Sequence, residues 1–343
     1  MSGAELDFDG PALTIKIPFG EYDETASTPD ATRELAGLDR TTLASAAGQI
    51  TADYQLGRFR GSLASAESRA AYLLTRLPAT LAANISVFRE VARLQPELQP
   101  NSLLDLGSGP GTAMWAAREV WPEISSFTLV ENNRDFLELG KRLAAEIPTD
   151  WVNADITSLG QFPGADIVVS SYSLGEFKNG RDVIEKAWQS AQKALVILEP
   201  GTPRNFANLA GIRQQLISRG AHPIAPCPHR NECPMAAADD WCHFAVRVDR
   251  TSEHRRLKAG TLGYEDEKFS YLAFSKTPAA HAAARIVRHP AIHRGHIQLT
   301  LCTPEGLQST TVTRSQRMAF RAARKAEWGD AWPPSPTGED QLE

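Results

Sequence analysis

Three observations predict a Rossmann-like α/β fold with a mostly parallel sheet for this 343-residue chain. From residue 100 onward, apolar strand-like runs alternate with helical patterns, which is the signature of a parallel sheet. A buried run at residues 103–106 passes directly into a loop with three glycines, and a helix-like segment follows it. Between residues 29 and 97, apolar residues recur every three or four positions, which predicts an N-terminal helical region.

The glycine loop carries the spacing of a cofactor motif. Asp105 stands two residues before Gly107, Ser108 comes next, and Gly109 and Gly111 follow at alternate positions. Glycine adopts backbone angles closed to other residues, so such a loop can approach a ligand closely and present amide N–H groups. The spacing resembles the first motif of class I S-adenosylmethionine-dependent methyltransferases. A dinucleotide fold carries G-x-G-x-x-G instead, so NAD and a structural turn are the alternatives.

Two further acids complete the predicted cofactor site. Residues 127–131 are predicted to be the second strand, and Glu131 at its end is placed to accept hydrogen bonds from both ribose hydroxyls. Asp155 is positioned to receive the exocyclic amine of an adenine. The loop at residues 173–176 follows the fourth strand and is expected to line the acceptor pocket, because ligands of parallel sheets bind beyond the strands' carboxyl ends. No residue stands out as a catalytic base.

The chain has four cysteines, three of them clustered and one distant. They are Cys227, Cys233, Cys242 and Cys302. Four soft thiolates select zinc or an iron–sulfur cluster. Zinc sites usually contain C-x2-C pairs, whereas this spacing is C-x5-C and C-x8-C, with a proline after each of the first two cysteines. We therefore expect a structural [4Fe–4S] cluster, with zinc as the alternative and His229 and His243 as lower-ranked ligands.

A basic segment lies near the end of this otherwise acidic chain, whose formal net charge is −5. Between residues 276 and 326 Glu305 is the only acid, whereas bases are frequent. They include Arg285, Arg288, Arg294, Arg314, Arg317, Arg321, Arg324 and Lys325. The last four arginines recur every three or four residues, so we expect them to share one helix face that tracks RNA phosphates.

The chain resembles the Rsm22-like family over residues 40–332. The resemblance rests on residues 72–78, 104–111, 199–203, 241–244 and 328–330, together with the four cysteines. It implies a class I methyltransferase fold with a seven-stranded, mostly parallel sheet. It also implies a four-cysteine iron–sulfur cluster and binding to the small ribosomal subunit or its rRNA.

The predicted parts of the chain follow one another in order. They are an N-terminal arm and helical region (1–99), a methyltransferase core with the cofactor site (100–220), a cysteine-rich insertion (221–268), the last strands and basic C-terminal region (269–332) and a flexible tail (333–343). The last two strands of the sheet are predicted at residues 269–274 and 296–302. The cluster is expected to lie far from the cofactor and to stiffen an RNA-binding surface.

Residues 1–10 contain acids, no base and no apolar run, so no signal or transit peptide is predicted. No stretch approaches the length of a membrane span, and a soluble cytoplasmic protein without membrane or DNA partners is expected. The leading functional hypothesis is a methyltransferase acting on small-subunit rRNA or its assembly intermediates. The alternatives are a non-catalytic assembly factor and, less favoured, a small-molecule methyltransferase with a zinc site.

Overall fold

The computed structural model describes residues 38–56, 65–144, 146–177, 179–250, 252–258 and 261–334. The helices are α1 (Arg40–Leu56), α2 (Ala66–Thr75), α3 (Leu77–Leu94), α4 (Thr112–Val120), α5 (Arg134–Leu143), α6 (Gly180–Ser190), α7 (Pro203–Ser218), α8 (Pro234–Ala237), α9 (Ser252–Leu257) and α10 (Arg317–Ala323). The strands are β1 (Ser102–Leu106), β2 (Ser126–Glu131), β3 (Thr149–Asn153), β4 (Ala165–Ser171), β5 (Ala191–Pro200), β6 (His222–Ala225), β7 (Phe244–Asp249), β8 (Tyr264–Ser275), β9 (Ala284–Ile286), β10 (Ala291–His293), β11 (His296–Thr303), β12 (Gly306–Thr313) and β13 (Ala331–Trp332). The predicted N-terminal arm and most of the predicted tail lie outside the described residues.

The main sheet has the strand order β3-β2-β1-β4-β5-β8-β6, and β7 pairs with β8 beside this path. The pairs among β1 to β5 are parallel, whereas β8 runs antiparallel to β5, β6 and β7. The predicted α/β fold with a mostly parallel sheet is therefore confirmed. The described sheet has eight strands rather than the predicted seven, because β7 extends the ribbon formed by β8.

The central strand β1 shows why the sheet forms as predicted. Leu103 packs into the core on one face with α3 and α4, while Leu104 and Leu106 pack into the core on the other face with α6 and α7. All three leucines are buried, as expected for a parallel strand covered on both sides. Burial of one such side chain contributes roughly 1.5–3 kcal/mol.

The N-terminal helices cover one face of this sheet. Ser65 caps α2 by accepting a hydrogen bond from the Ser68 amide at 3.1 Å. Pro78 lies in the first turn of α3, where its missing N–H costs nothing. Phe88 of α3 packs against Trp121, with ring centroids 5.4 Å apart. No helix in the described residues is long and apolar enough to cross a membrane.

A second sheet has the order β10-β11-β9-β13, with β12 paired to β11. The prediction of a strand at residues 269–274 in the main sheet is confirmed by β8, but the assignment of residues 296–302 to that sheet is wrong. Those residues form β11 of the second sheet, because β6 occupies the outer place of the main sheet. β6 precedes residues 226–243, which contain three of the cysteines and which we call the cysteine loop. In β11, buried Ile297 and Leu299 alternate with exposed Gln298, which is typical of a strand covered on one face.

Candidate functional site

The glycine loop forms the turn from β1 into α4. Gly107, Gly109 and Gly111 have φ angles of 75°, 54° and 88°, which lie in the left-handed region that favours glycine. A Cβ on Gly107 would lie 2.5 Å from the Cβ of Ser173, so the close approach of the two loops also requires glycine there. The sequence therefore contains glycine where this turn needs it.

The amide groups of the loop are bonded within the protein, in contrast to the expectation that they face a ligand. The N–H groups of Gly107 and Ser108 donate to the Val130 carbonyl at 2.9 and 3.1 Å. The Gly111 N–H donates to the Ser108 carbonyl at 2.9 Å, and the Gly109 N–H donates to Glu131 at 2.8 Å. Ligand recognition at this loop therefore depends on side chains and on shape rather than on these four amides.

A cavity of about 530 Å³ opens at the carboxyl ends of the parallel strands; we call it the glycine-loop cavity. Its lining contains all seven predicted cofactor residues except Gly111. Four carboxylates line it, those of Asp105, Glu131, Asp155 and Glu176. Among the described residues, no lysine or arginine lines it. This distribution of charge favours a positively charged ligand.

Asp105 is the most unusual of these acids. Its side chain is buried, and neither carboxylate oxygen has a hydrogen-bond partner among the described residues. Burial, with a further contribution from Glu131, raises the pKa of Asp105 to about 8. A buried polar group without a partner is costly, so Asp105 lacks a partner that a ligand would supply.

Glu131 is held in place by two backbone amides. Its Oε2 accepts from the Gly109 N–H at 2.8 Å and its Oε1 accepts from the Asn133 N–H at 2.7 Å. Burial raises the pKa of Glu131, and these two hydrogen bonds oppose that shift. Each oxygen retains acceptor capacity, so Glu131 fixes the loop and still presents a carboxylate to the cavity.

Asp155 lies in the same cavity, but its surroundings differ from those of Asp105. It is exposed, and its Oδ1 accepts from the backbone N–H and the hydroxyl of Thr157 at 2.9 and 2.7 Å. The third strand ends at Asn153, so Asp155 caps the short 3-10 turn after it. The structure therefore brings the predicted acids together, with Asp155 at the solvent side.

Sequence reasoning missed the aromatic part of the cavity wall. Tyr72, Phe136, Tyr172 and Phe177 line it. Tyr172 follows β4 with a φ of 56°, and its hydroxyl donates to Glu267 at 3.0 Å. Glu267 is also held by both terminal nitrogens of Arg76, each at 3.1 Å. The position of Tyr172 directly after the fourth strand was the available signal, because that loop was already expected to line the site.

The four cysteines converge on a second cavity of about 40 Å³, which we call the cysteine cavity. All four are free thiols. Burial raises the pKa of Cys227, and burial together with the neighbouring thiols raises that of Cys302 to about 12. Within the described residues, no group of three or more His, Cys, Asp or Glu side chains has the arrangement of a metal site. The predicted [4Fe–4S] cluster therefore stays a prediction.

The two histidines near the cysteines differ in position. His229 lines the cysteine cavity, and its Nε2 lies 3.5 Å from the Cys302 sulfur. His243 is absent from the lining and stacks on Trp241, with centroids 5.0 Å apart. No residue lines both cavities, and the predicted distance between cluster and cofactor stays a prediction.

The basic segment divides into internal and exposed arginines. Arg285 is buried and forms an ion pair with Glu90, and Arg288 forms one with Asp240. The prediction of one helix face is wrong in part, because α10 contains Arg317 and Arg321 only. Arg314 precedes the helix and Arg324 follows it. The exposed cations that remain are Arg294, Arg314, Arg317, Arg321, Arg324 and Lys325.

Two features define a class I methyltransferase-like α/β fold. The main sheet has an antiparallel strand, β8, between β5 and β6, and the glycine loop follows β1. The family described as Mitochondrial small ribosomal subunit Rsm22 matches residues 66–333. The chain belongs to this family, as the sequence resemblance predicted.

Two curated relatives extend this finding. The human Ribosome assembly protein METTL17, mitochondrial, is 28% identical over 308 residues, which cover 79% of this chain and 65% of that protein. The Rsm22-cox11 tandem protein 2, mitochondrial, of Schizosaccharomyces pombe is 26% identical over 325 residues, which cover 77% of this chain and 43% of that protein. The chain thus spans less than two thirds of each relative. The predicted cytoplasmic location is contradicted by this comparison, because these relatives are mitochondrial proteins.

The solved structures that the chain resembles are more distant in sequence. The plantazolicin methyltransferase BpumL is 10% identical with a TM-score of 0.40, covering 69% of this chain and 97% of that one. The precorrin-6y C5,15-methyltransferase of Geobacter metallireducens is 16% identical with a TM-score of 0.37, covering 56% and 86%. The fold assignment rests on the strand order of the chain itself.

Proposed function

We propose that this chain binds S-adenosylmethionine in the glycine-loop cavity and acts in assembly of the small ribosomal subunit. The observation that carries the donor proposal is Asp105, a buried carboxyl group without a hydrogen-bond partner in a cavity lined by acids. The donor has a positively charged sulfonium and a positively charged amino group, which match this cavity. A cationic ligand would favour the ionised form of Asp105 and supply its missing partner.

The other predicted residues have distinct roles in this proposal. Glu131 would accept hydrogen bonds from the ribose hydroxyls, and Asp155 at the solvent side would receive the adenine amine. Gly107, Ser108, Gly109 and Gly111 would shape the wall against which the donor lies. The bound donor would supply an electrophilic methyl group, and the protein would contribute mainly by positioning the acceptor.

Small-subunit rRNA is the acceptor that we propose for methyl transfer. Human METTL17 and the RSM22 protein of Saccharomyces cerevisiae, another relative, are named as ribosome assembly proteins, which favours an assembly role. Arg294, Arg314, Arg317 and Arg324 are exposed and form no ion pair with a carboxylate among the described residues. Such a group of cations is suited to phosphate contacts. A non-catalytic assembly factor that binds the donor without using it is the second candidate, favoured by the same names.

We further propose that the four cysteines hold a structural [4Fe–4S] cluster. Their convergence on one apolar cavity supplies the thiolate set that such a cluster requires. Zinc is the alternative, because a cavity of about 40 Å³ accommodates a single ion more readily than a cluster. Iron, acid-labile sulfide and zinc contents of anaerobically purified protein distinguish the two. A colourless protein with stoichiometric zinc would refute the cluster.

The enzyme and scaffold candidates are separated by offering labelled donor with immature small subunits to the wild type and to Gly109→Arg. The new side chain would enter the glycine-loop cavity, where a Cβ on Gly109 lies 3.9 Å from the Tyr72 hydroxyl. Gly220→Arg is the matched control, because Gly220 also has a positive φ of 87° but has open space around it. If rRNA becomes labelled with the wild type and with Gly220→Arg but not with Gly109→Arg, methyl transfer is supported. Assembly rescued by Gly109→Arg without labelling supports the scaffold.

A further inference from the structure

The cysteine cavity contains a buried cation that the proposed function does not use. Arg213 lies on α7, on the same helix face as Phe206, Leu209 and Leu216, which pack into the protein. Arg213 is 2% exposed and lines the cavity with all four cysteines. A guanidinium group stays charged in proteins, so the positive charge is present at every relevant pH.

Arg213 makes its contacts with uncharged groups of the cysteine loop. Its Nε donates to the Cys227 sulfur at 3.2 Å, and a terminal nitrogen donates to the His229 carbonyl at 2.7 Å. No carboxylate pairs with it among the described residues. The other two arginines near the cysteines differ in this respect, because Arg285 pairs with Glu90 and Arg288 pairs with Asp240.

A buried charge without a counter-charge is unfavourable, because the surrounding protein replaces water poorly. Protonated thiols provide dipoles but no net charge. Thiolates that bind a metal ion or an iron–sulfur cluster are deprotonated, and the complete assembly carries net negative charge. Arg213 therefore has its counter-charge only when the cysteine site is loaded.

We propose that Arg213 is the positioning residue and counter-charge of the cysteine site. It orients Cys227 through the Nε–H···S contact and offsets the negative charge of the loaded centre. Hydrogen bonds to cluster sulfurs and nearby charge raise the reduction potential of such centres, so Arg213 also sets that potential. This inference rests on the proposed metal–thiolate centre.

The first test compares wild type, Arg213→Gln, Arg213→Lys and Arg230→Gln as full chains purified anaerobically. Arg230→Gln is the matched control, because Arg230 lies in the cysteine loop that Arg213 contacts but is exposed. We expect Arg213→Gln to lose iron to a chelator about tenfold faster and to have a lower midpoint potential in a dithionite titration. Arg213→Lys keeps the charge, so its rate of iron loss and its midpoint potential should lie between those of wild type and Arg213→Gln. Equal iron retention and equal potential in wild type and Arg213→Gln would overturn the inference.

The second test uses thermal unfolding, and its sign separates charge compensation from packing. Arg213→Met removes the charge at similar volume, so it should melt below wild type when both are loaded and above wild type when both are depleted. The same sign in both states would refute the inference. If wild type contains zinc and the sign of the change reverses on depletion, the counter-charge role of Arg213 is supported and the iron–sulfur proposal is refuted. Wild type that binds neither metal refutes both proposals.

Discussion

The glycine-loop cavity and the cysteine cavity each contain a buried ionisable side chain that has no counter-charge among the described residues. The side chain is an acid in the first cavity and a base in the second. Asp105 lies in a wide cavity lined by acids, whereas Arg213 lies in a small apolar cavity lined by thiols. Structural ion pairs of the same protein, such as Arg76 with Glu267, are complete. Under our proposals the missing partner differs in sign, a cationic donor in the first cavity and an anionic metal–thiolate centre in the second.

The largest expected effect concerns Arg285, whose charge is compensated by Glu90. Arg285→Met should destabilise the protein by about 3 kcal/mol, because it breaks a buried ion pair. Urea unfolding should show the loss in loaded and metal-depleted protein alike, unlike the reversal expected for Arg213. The control is Arg89→Met, which removes a surface pair with Glu119 and should cost less than about 1 kcal/mol. A sign change for Arg285→Met would contradict the distinction between compensated and uncompensated arginines.

The next effect tests the charge that Asp105 contributes. Asp105→Asn keeps the shape of the side chain and should weaken S-adenosylmethionine binding by at least about 30-fold, measured by titration calorimetry, because a buried charge contact is lost. Asp155→Asn is the comparison at the exposed side of the same cavity and should weaken binding by less than about threefold, because asparagine keeps an oxygen that accepts from the adenine amine. Unchanged affinity in Asp105→Asn would mean that this carboxyl group does not contact the donor.

A pH dependence follows from the pKa of Asp105, which burial and Glu131 raise to about 8. The pKa of an aspartate in the unfolded chain is about 3.9, so between this pH and the native pKa the folded protein keeps Asp105 protonated while the unfolded chain does not. The free energy of unfolding of ligand-free protein therefore falls as pH rises through this range. Donor binding favours the ionised form, so affinity should rise by up to about tenfold per unit until about pH 8. Calorimetry across this range should show the slope in wild type and its loss in Asp105→Asn. A flat wild-type profile would contradict it.

The smallest effect concerns the aromatic wall of the glycine-loop cavity. Tyr172→Phe removes the hydroxyl contact with Glu267 and should cost about 1 kcal/mol in urea unfolding, since Arg76 continues to hold the carboxylate. Tyr264→Phe, elsewhere on β8, should be neutral. A loss larger than that of Arg285→Met would show that this wall, rather than the buried arginines, dominates stability.

The sequence predicted those parts of the molecule that depend on local pattern. The strand and loop around Asp105 were assigned correctly, because an apolar run followed by glycines has few structural solutions. The amide contacts of the loop were not predictable, since they depend on Val130 and Glu131 of the neighbouring strand. The second sheet was missed because β11 pairs antiparallel with strands on either side, and its short runs do not specify the sheet they join.

Arg213, a residue of the proposed cysteine site, was not identified from the sequence, although its spacing in the sequence was an available signal. Phe206, Leu209, Arg213 and Leu216 follow the three- and four-residue spacing of one helix face, which places a permanent charge among apolar residues. A charge at such a position requires a partner, and the cysteine pattern begins at Cys227. The contact between Arg213 and Cys227 nevertheless required the tertiary structure.

The place of β8 in the main sheet affects how the chain folds. β8 lies between β5 and β6, yet in sequence it comes after both and after the cysteine loop. During synthesis the β5 edge therefore stays without its partner until residues 264–275 have been made. Such late, non-local pairing slows folding and leaves an open strand edge that associates with other chains. The β5 edge of the nascent chain is therefore open to pairing with other chains until β8 has been made.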